Sequence, residues 1–162
     1  MEDNLVLTLS LAAIVAREAA DLTSAATRIV EQCDDLIRDH LGRSRPVDSQ
    51  VLCRLASIID GQREVMSGLS ANALVAVRLA SKQLSAALGT VRAPPPVDGA
   101  ATEHEQAAGR LLAVLAQLER AIRSSETQMR DASDSVSQTA RRAEQGRVFE
   151  GLMGRLLGRR SE

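Results

Sequence analysis

The sequence predicts an all-α fold: an elongated antiparallel bundle of three long heptad-patterned helices followed by a short C-terminal amphipathic helix. Apolar residues make up 44% of the 162 residues, but aromatic residues make up only 1%, and Phe149 is the single aromatic side chain. Because strands favour aromatic and β-branched residues, this composition argues against sheets. Apolar and small residues also recur with alternating steps of four and three, which is the heptad spacing of packed helices.

The first helix is expected over residues 4–41. Asp3 or Asn4 is expected to cap its start. Gly42, followed soon by Pro46, marks its end. The apolar and small residues that carry its heptad spacing are Leu5, Leu9, Ala12, Ala16, Ala19, Thr23, Ala26, Val30, Cys33 and Ile37.

The second helix is expected over residues 48–89, with Asp48 or Ser49 at its N-cap and Gly89 as its stop. Helices one and two then form a hairpin within residues 1–90. Three polar residues interrupt the heptad series of the second helix, and they either fix register or oligomeric state or mark a drift of the apolar face. The series is Val51, Leu55, Ile58, Gln62, Val65, Leu69, Asn72, Ala76, Leu79, Gln83 and Ala86.

A proline-rich linker, residues 91–101, separates the hairpin from the third helix, because three consecutive prolines cannot continue a helix. The third helix is expected over residues 102–146, with Thr102 and Glu105 as a capping box and Gly146 as its end. Each long helix then has about 36 to 44 residues, or roughly 55 to 65 Å. The third heptad series is Leu111, Leu115, Leu118, Ile122, Ser125, Met129, Ala132, Val136, Thr139 and Ala143.

Residues 147–162 form a basic amphipathic tail. Its apolar positions fall on one helical face: they are Val148, Phe149, Leu152, Met153, Leu156 and Leu157. Its positive rim consists of Arg147, Arg155, Arg159 and Arg160. Such a tail is typical of a segment that docks into a partner's groove, lies on an anionic membrane or folds back over the end of the bundle.

Charge and composition exclude several classes of function. The net charge of −1 gives no overall attraction for nucleic acid. Single-stranded nucleic acid usually needs aromatic stacking platforms, which one phenylalanine cannot provide. The two histidines and two cysteines do not form a metal-ligand pattern, so no metal and no bound cofactor are expected.

Two features bear on the compartment. Cys33 and Cys53 are expected as reduced, partly buried thiols, although a disulfide across the first turn is the alternative. The apolar run 5–16 follows two acidic residues, whereas a secretory signal begins with a positive segment. The run is also too short to cross a membrane. A cytoplasmic protein is therefore expected.

The stretch "ASDSVSQTA", residues 132–140, is the strongest candidate for a functional site. Asp134 and Gln138 lie four residues apart and share one helix face. Each follows a heptad residue by two positions, about 200° around the helix, so both are expected to point away from the core. An acid and an amide held side by side can bind a cation on a partner and position a water for attack. Catalysis of this kind depends on placement.

The segment "DSVSQ", Asp134 to Gln138, resembles the Asp-x-x-x-Gln signature of the CheZ-type chemotaxis phosphatases and of the smaller CheT-like proteins. The resemblance implies a helical protein that reaches into the active site of a phosphorylated CheY-like receiver. It implies that Asp134 contacts a receiver lysine and that Gln138 orients the hydrolytic water. The Mg²⁺ of the reaction would belong to the receiver.

A second acidic pair, Asp60 and Glu64, is similar to the acid and glutamate of the CheC and CheX phosphatases. Their motif continues with an asparagine three residues after the glutamate, and Ser67 stands at that position here. We therefore interpret Asp60 and Glu64 as solvated flanks of Gln62.

The sequence thus predicts a bacterial regulatory or protein-interaction protein. Its sharpest hypothesis is a two-component phosphatase that acts on a response-regulator receiver through Asp134 and Gln138. The alternatives are a coiled-coil scaffold, or a flagellar or secretion chaperone, either of which would dock through the C-terminal tail. A second copy of the chain is a further candidate partner.

Overall fold

The computed structural model describes residues 2–42, 48–91 and 102–158. These ranges contain three α-helices and no strand. The helices are α1 (Glu2–Gly42), α2 (Ser49–Val91) and α3 (Glu103–Gly158). The all-α prediction is confirmed, and the fold is a helical bundle. Pro46 and nearly all of the predicted linker lie outside the described residues.

Asp48 caps the start of α2. Its Oδ1 accepts a hydrogen bond of 2.8 Å from the Gln50 amide, and its carbonyl accepts one of 3.0 Å from the Leu52 amide. The bond to Oδ1 satisfies a first-turn amide that has no partner within the helix, and the bond to the carbonyl is the first backbone bond of the helix. The capping expected for α1 is wrong, because that helix already begins at Glu2 and Asp3 and Asn4 lie inside it.

The predicted capping box at the start of α3 is confirmed. The Thr102 amide donates to Glu105 Oε2 at 2.7 Å, and the Glu105 amide donates to Thr102 Oγ1 at 3.2 Å. Each side chain thus satisfies a backbone donor of the other residue. Glu105 is buried despite its charge, because its carboxylate is held in this reciprocal pair.

Removing the cap is expected to destabilise the protein. Thr102→Ala should lower the free energy of unfolding by about 1 kcal/mol, the usual cost of losing an N-cap side chain. Urea unfolding followed by helical circular dichroism measures the change. Ser10→Ala is the control, because the Ser10 hydroxyl is exposed and bonds only the Val6 carbonyl within α1. An equal loss in both variants would contradict the capping role.

Two helix ends lie beyond the predicted glycine stops. α2 passes Gly89 and ends at Val91, and α3 passes Gly146 and ends at Gly158. A separate C-terminal helix after Gly146 is therefore not observed, and α3 is 56 residues long against 41 for α1 and 43 for α2. The physical reason is that one glycine inside a helix lowers the helix's stability by only about 1 kcal/mol relative to alanine, so a long helix can continue through it.

Contacts divide the chain into two compact units. Unit 1 comprises Met1–Ala26 and Met66–Glu126, and unit 2 comprises Thr27–Val65 and Thr127–Glu162. The core of unit 1 combines a few large side chains with many alanines: it contains Leu5, Ala12, Ala16, Ala19, Val77, Ala80, Leu84, Ala87, Ala108, Leu115 and Ile122. The core of unit 2 contains Cys33, Leu52, Ala56, Ile59, Ala132, Val136 and Ala140.

Unit 1 also has a polar link between α2 and α3. Arg78 Nε donates to Glu119 Oε1 at 2.8 Å, and Arg123 Nη2 contacts the same oxygen at 2.8 Å. The hydrogen bond from Arg78 is the main reason that the pKa of Glu119 is lowered, and the bond from Arg123 lowers it further. Because the carboxylate is partly exposed, solvent screens this pair and it adds little stability.

The heptad series predicted for α1 and α3 are confirmed, because every member is buried or half-buried. The series predicted for α2 is wrong. Of its members only Leu55 and Ala76 are half-buried, and the others are exposed, including the three polar residues. Apart from Ser49, the buried residues of α2 lie one position later than members of this series: they are Leu52, Ala56, Ile59, Met66, Ser70, Val77, Ala80, Leu84 and Ala87.

Candidate functional site

Asp134 and Gln138 lie on the part of α3 that belongs to unit 2, and both side chains are exposed. This confirms that they point away from the core. One helical turn separates them, so their Cα atoms are about 6 Å apart along the helix axis. The residues two positions before them, Ala132 and Val136, are 8% and 1% exposed.

The core of unit 2 holds this part of α3 in place. Val136 and Ala140 pack in the same cluster as Leu52 and Ile59 of α2. Next to Asp134, the buried Ser133 hydroxyl donates to an Asp60 carboxylate oxygen of α2 at 3.5 Å. The acid and the amide therefore project from a helix that is packed on its opposite side, which limits how far they can move relative to each other.

The surroundings of the pair carry charges of both signs. Arg130 lies four residues before Asp134, and Arg141 and Arg142 follow Gln138 by three and four residues, which places them next to it on the helix surface. All three arginines are exposed. The surface thus offers an anionic group at Asp134, a neutral amide at Gln138 and cationic groups beyond the amide, an arrangement suited to a partner site that holds both a cation and a phosphoryl group.

The second acidic pair is arranged differently. Asp60 Oδ1 forms an ion pair of 2.8 Å with Arg63 and also receives the Ser133 hydroxyl. Glu64 is exposed, as is Gln62. Glu64 is thus a solvated flank as interpreted, whereas Asp60 is half-buried and engaged by neighbours within unit 2.

The apolar face of the tail is solvent-exposed where the structure describes it. The exposed fractions are 53% for Val148, 64% for Phe149, 53% for Leu152 and 39% for Met153. Arg155 is also exposed, and Arg147 pairs with Glu144 at 2.7 Å. These four apolar side chains do not fold back onto a core, so that alternative is not what the structure adopts. The Leu156 and Leu157 side chains and all of Arg159 lie outside the described residues.

The two cysteines are free. Cys33 is fully buried in the core of unit 2 and Cys53 is exposed, so neither thiol has the partial burial that was expected. Burial raises the pKa of the Cys33 thiol, and the neighbouring Asp34 carboxylate adds to the rise. Because the thiolate is the reactive form, Cys33 is doubly protected, by its pKa and by its surroundings.

The two thiols are therefore expected to differ in reactivity. Cys53 should react with a maleimide at the rate of a free thiol, while Cys33 should react more than about 100-fold more slowly, because its reaction requires an opening of unit 2. Mass spectrometry of labelled peptides over time measures both rates. In denaturing urea the two rates should become similar, and equal rates in the native protein would contradict the burial of Cys33.

Eight large apolar side chains are exposed in the described residues of unit 1, and five of them line grooves between α1 and α2. These five are Leu7, Leu11 and Ile14 of α1 and Leu69 and Leu79 of α2. The sequence held a signal for the last two, since both belong to the heptad series that was assigned to the core. The α1 residues repeat with steps of four and three, offset by two positions from the buried series, and this second stripe was missed.

Within the described ranges, no group of three or more histidine, cysteine, aspartate or glutamate side chains is placed to hold a metal ion. None of the three helices, over the same ranges, is long and apolar enough to cross a membrane. Comparison with known proteins returned no matching family model, no matching curated protein and no matching solved structure.

Proposed function

We propose that this chain is a cytoplasmic regulatory protein that accelerates the dephosphorylation of a response-regulator receiver. Asp134 and Gln138 would enter the receiver's active site together. The observation that carries the proposal is that an acid and an amide one turn apart are exposed on a helix whose opposite face is packed in the core of unit 2. The pair is thereby held before a partner arrives, which is the main requirement of catalysis by placement.

An elongated antiparallel arrangement of the helices belongs to the same proposal. In unit 1 it is supported by two contacts between α2 and α3. The Ser67 hydroxyl bonds Glu126 at 3.1 Å, and Arg78 bonds Glu119 at 2.8 Å. Residues further along α2 therefore contact residues earlier in α3, as in an antiparallel pair. Long helices in this arrangement present extended, rigid side faces to a partner.

In the proposed reaction, the Gln138 amide oxygen accepts a hydrogen bond from a water on the side of the phosphorus opposite the receiver's aspartate. The water oxygen forms a bond to phosphorus while the bond from phosphorus to the aspartate oxygen breaks. The aspartate keeps the electron pair of that bond, and the proton of the water leaves with the inorganic phosphate or passes to solvent. Mg²⁺ bound by the receiver would offset the negative charge on the phosphoryl oxygens.

Asp134 has the role of orienting the complex. Its carboxylate accepts hydrogen bonds from a receiver lysine, which fixes α3 relative to the phosphoryl group. Gln138 then lies one turn further along the same helix, at a set distance from that anchor. The Gln138 amide does not ionise, so it acts only through its hydrogen bonds.

The test uses single-domain receivers from the same organism, each phosphorylated with a small phosphodonor in Mg²⁺. The rate of phosphate loss is followed with and without the full chain. The proposal predicts that one receiver loses phosphate faster in proportion to the amount of chain added. Unchanged rates for every receiver would overturn it.

A second candidate function is supported by the exposed tail. A non-enzymatic scaffold or chaperone would dock through Val148, Phe149, Leu152 and Met153, which form one apolar patch on α3. An exposed apolar patch with a basic rim is typical of a protein or membrane contact. Deletion of residues 147–162 should then abolish binding while Gln138→Ala leaves it intact. A chaperone would in addition form a stable complex with one client segment that is unfolded when alone.

A further inference from the structure

Five of the exposed apolar side chains of unit 1 lie along the junction between α1 and α2, and we refer to this surface as the α1–α2 face. They are Leu7, Leu11, Ile14, Leu69 and Leu79. Grooves of about 410, 380 and 110 Å³ run along it. Leu11 lines two of them, and Val15 and Ala76 also line two, so the grooves adjoin one another. The face extends from Leu7 to Leu22 on α1, roughly 23 Å at 1.5 Å per residue.

This face exposes more contiguous apolar surface than isolated apolar residues on a protein surface do. Leu7, Leu11, Ile14, Leu69 and Leu79 are 60%, 52%, 58%, 48% and 53% exposed. Together with the half-buried floor of the grooves they offer on the order of 500 Å² of apolar surface. A standard interface buries about 800 Å² per partner, about 65% of it apolar in homodimers. The apolar area therefore matches what one side of a stable dimer needs.

The spacing of the exposed residues on α2 fits the side chains of another helix. The α2 residues Leu69, Asn72, Ala76 and Leu79 follow steps of three and four, which is the pattern into which the side chains of another helix fit. The same four residues are self-complementary when read in opposite directions. With two copies of α2 antiparallel, Leu69 lies opposite the partner's Leu79, and Asn72 lies opposite the partner's Ala76.

This register puts large side chains together at both ends and a polar residue beside a small one near the centre. A polar residue at one heptad position of this kind favours a single register, at some cost in stability. Val75, which is 65% exposed, then lies beside the twofold axis, where it meets the partner's Val75. An isologous contact of this kind closes with two copies and leaves no matching surface for a third.

We propose that the α1–α2 face is covered by the α1–α2 face of a second copy of the chain, with the two α2 helices antiparallel about an axis near residue 74. The dimer does not depend on the phosphatase function. Asp134 and Gln138 lie in unit 2 and on α3, which contributes no residue to this face. A Gln138→Ala protein is therefore expected to form the dimer as the unchanged protein does.

The first test is sedimentation equilibrium of the full chain. The unchanged protein is expected to be dimeric at about 10 μM, as for other interfaces of standard size. The double variant Leu69→Glu, Leu79→Glu should be monomeric with the same helical circular dichroism. Val114→Glu is the matched control, since Val114 is an exposed apolar residue of unit 1 on α3 and should leave the dimer intact. A monomer for the unchanged chain, or a dimer for the double variant, would overturn the proposal.

The second test does not require disrupting the interface. In a Cys53→Ser background, spin labels at Val75→Cys and, separately, at Ser85→Cys report distances between the two copies by pulsed electron resonance. The antiparallel register predicts less than about 20 Å for labels at position 75 and roughly 35 Å at position 85, from the rise per residue. A shorter distance at 85 than at 75, or no distance between copies at either site, would contradict the register and the proposal.

Discussion

Gln138→Ala is expected to reduce the rate of receiver dephosphorylation about 100-fold, close to the rate of the receiver alone. The amide is assigned one task, which is to hold the attacking water in line with the bond that breaks. Misplacing a reacting group by about 1 Å costs about 100-fold in rate, and alanine leaves the water without its positioning group. The fold should not change, because Gln138 is exposed and alanine is a better helix former than glutamine.

The controls for this prediction come from the same helix. Gln145→Ala removes another exposed amide of unit 2 and should keep the full rate. Asp134→Asn removes the charge but keeps the shape, and it should weaken binding of the receiver more than it lowers the rate at saturating receiver. A fall in rate with Gln145→Ala equal to that with Gln138→Ala would show that the effect is not specific to the site.

Leu115→Ala is expected to produce the largest loss of stability, about 2 to 5 kcal/mol in the free energy of unfolding. Leu115 is 0% exposed and packs in the core of unit 1. Its core neighbours include several alanines, such as Ala12, Ala16 and Ala108. These side chains have no rotamers that could refill the space, so the cavity left by the substitution would stay open and the lost contacts would not be replaced.

Val114→Ala is the matched control for this substitution. Val114 precedes Leu115 on α3 and is 43% exposed. Its change should alter the free energy of unfolding by less than about 0.5 kcal/mol, as is usual for surface positions. Urea unfolding monitored by helical circular dichroism gives both values. Similar losses for the two variants would mean that Leu115 does not lie in a packed core.

The cores of α1 and α3 were predictable from the sequence because one heptad series runs the length of each helix, whereas the second stripe of α1 stops at Ile14, four residues before Glu18. In α3 most residues on the other faces between Leu115 and Val136 are charged or polar, which favours the series through Leu115, Ile122 and Val136 as the buried one. In α1 the buried series is made largely of alanine, yet its spacing persists from Leu5 to Ile37. The spacing of the apolar residues was sufficient to identify the buried face where only one heptad series runs the length of the helix.

The core of α2 was not predictable in the same way. Apolar residues occur there in adjacent pairs, such as Val51 with Leu52, Ile58 with Ile59 and Val65 with Met66. Either member of each pair continues a heptad series. The period therefore identifies a helix but does not determine which stripe is buried, and tertiary contacts with α1 and α3 decide it. The heptad series that is not buried by these contacts remains exposed at Leu69 and Leu79.

The placement of the candidate site followed from the helix geometry. Once Ala132 and Val136 were assigned to the core, Asp134 and Gln138 had to be exposed. The continuation of α3 through Gly146 was missed, because a glycine was treated as a stop although its cost is small in a long helix. The chemistry of the pair depends on groups that a receiver supplies, and these are not encoded in this chain.

The central claim is tested most directly by comparing the unchanged chain, Gln138→Ala and Gln145→Ala side by side on one phosphorylated receiver. Phosphate release is measured with the chain in excess, so that binding does not limit the rate. We predict fast release with the unchanged chain and with Gln145→Ala, and release about 100-fold slower with Gln138→Ala. The same fast release with all three proteins would contradict the assignment of Gln138 as the group that positions water.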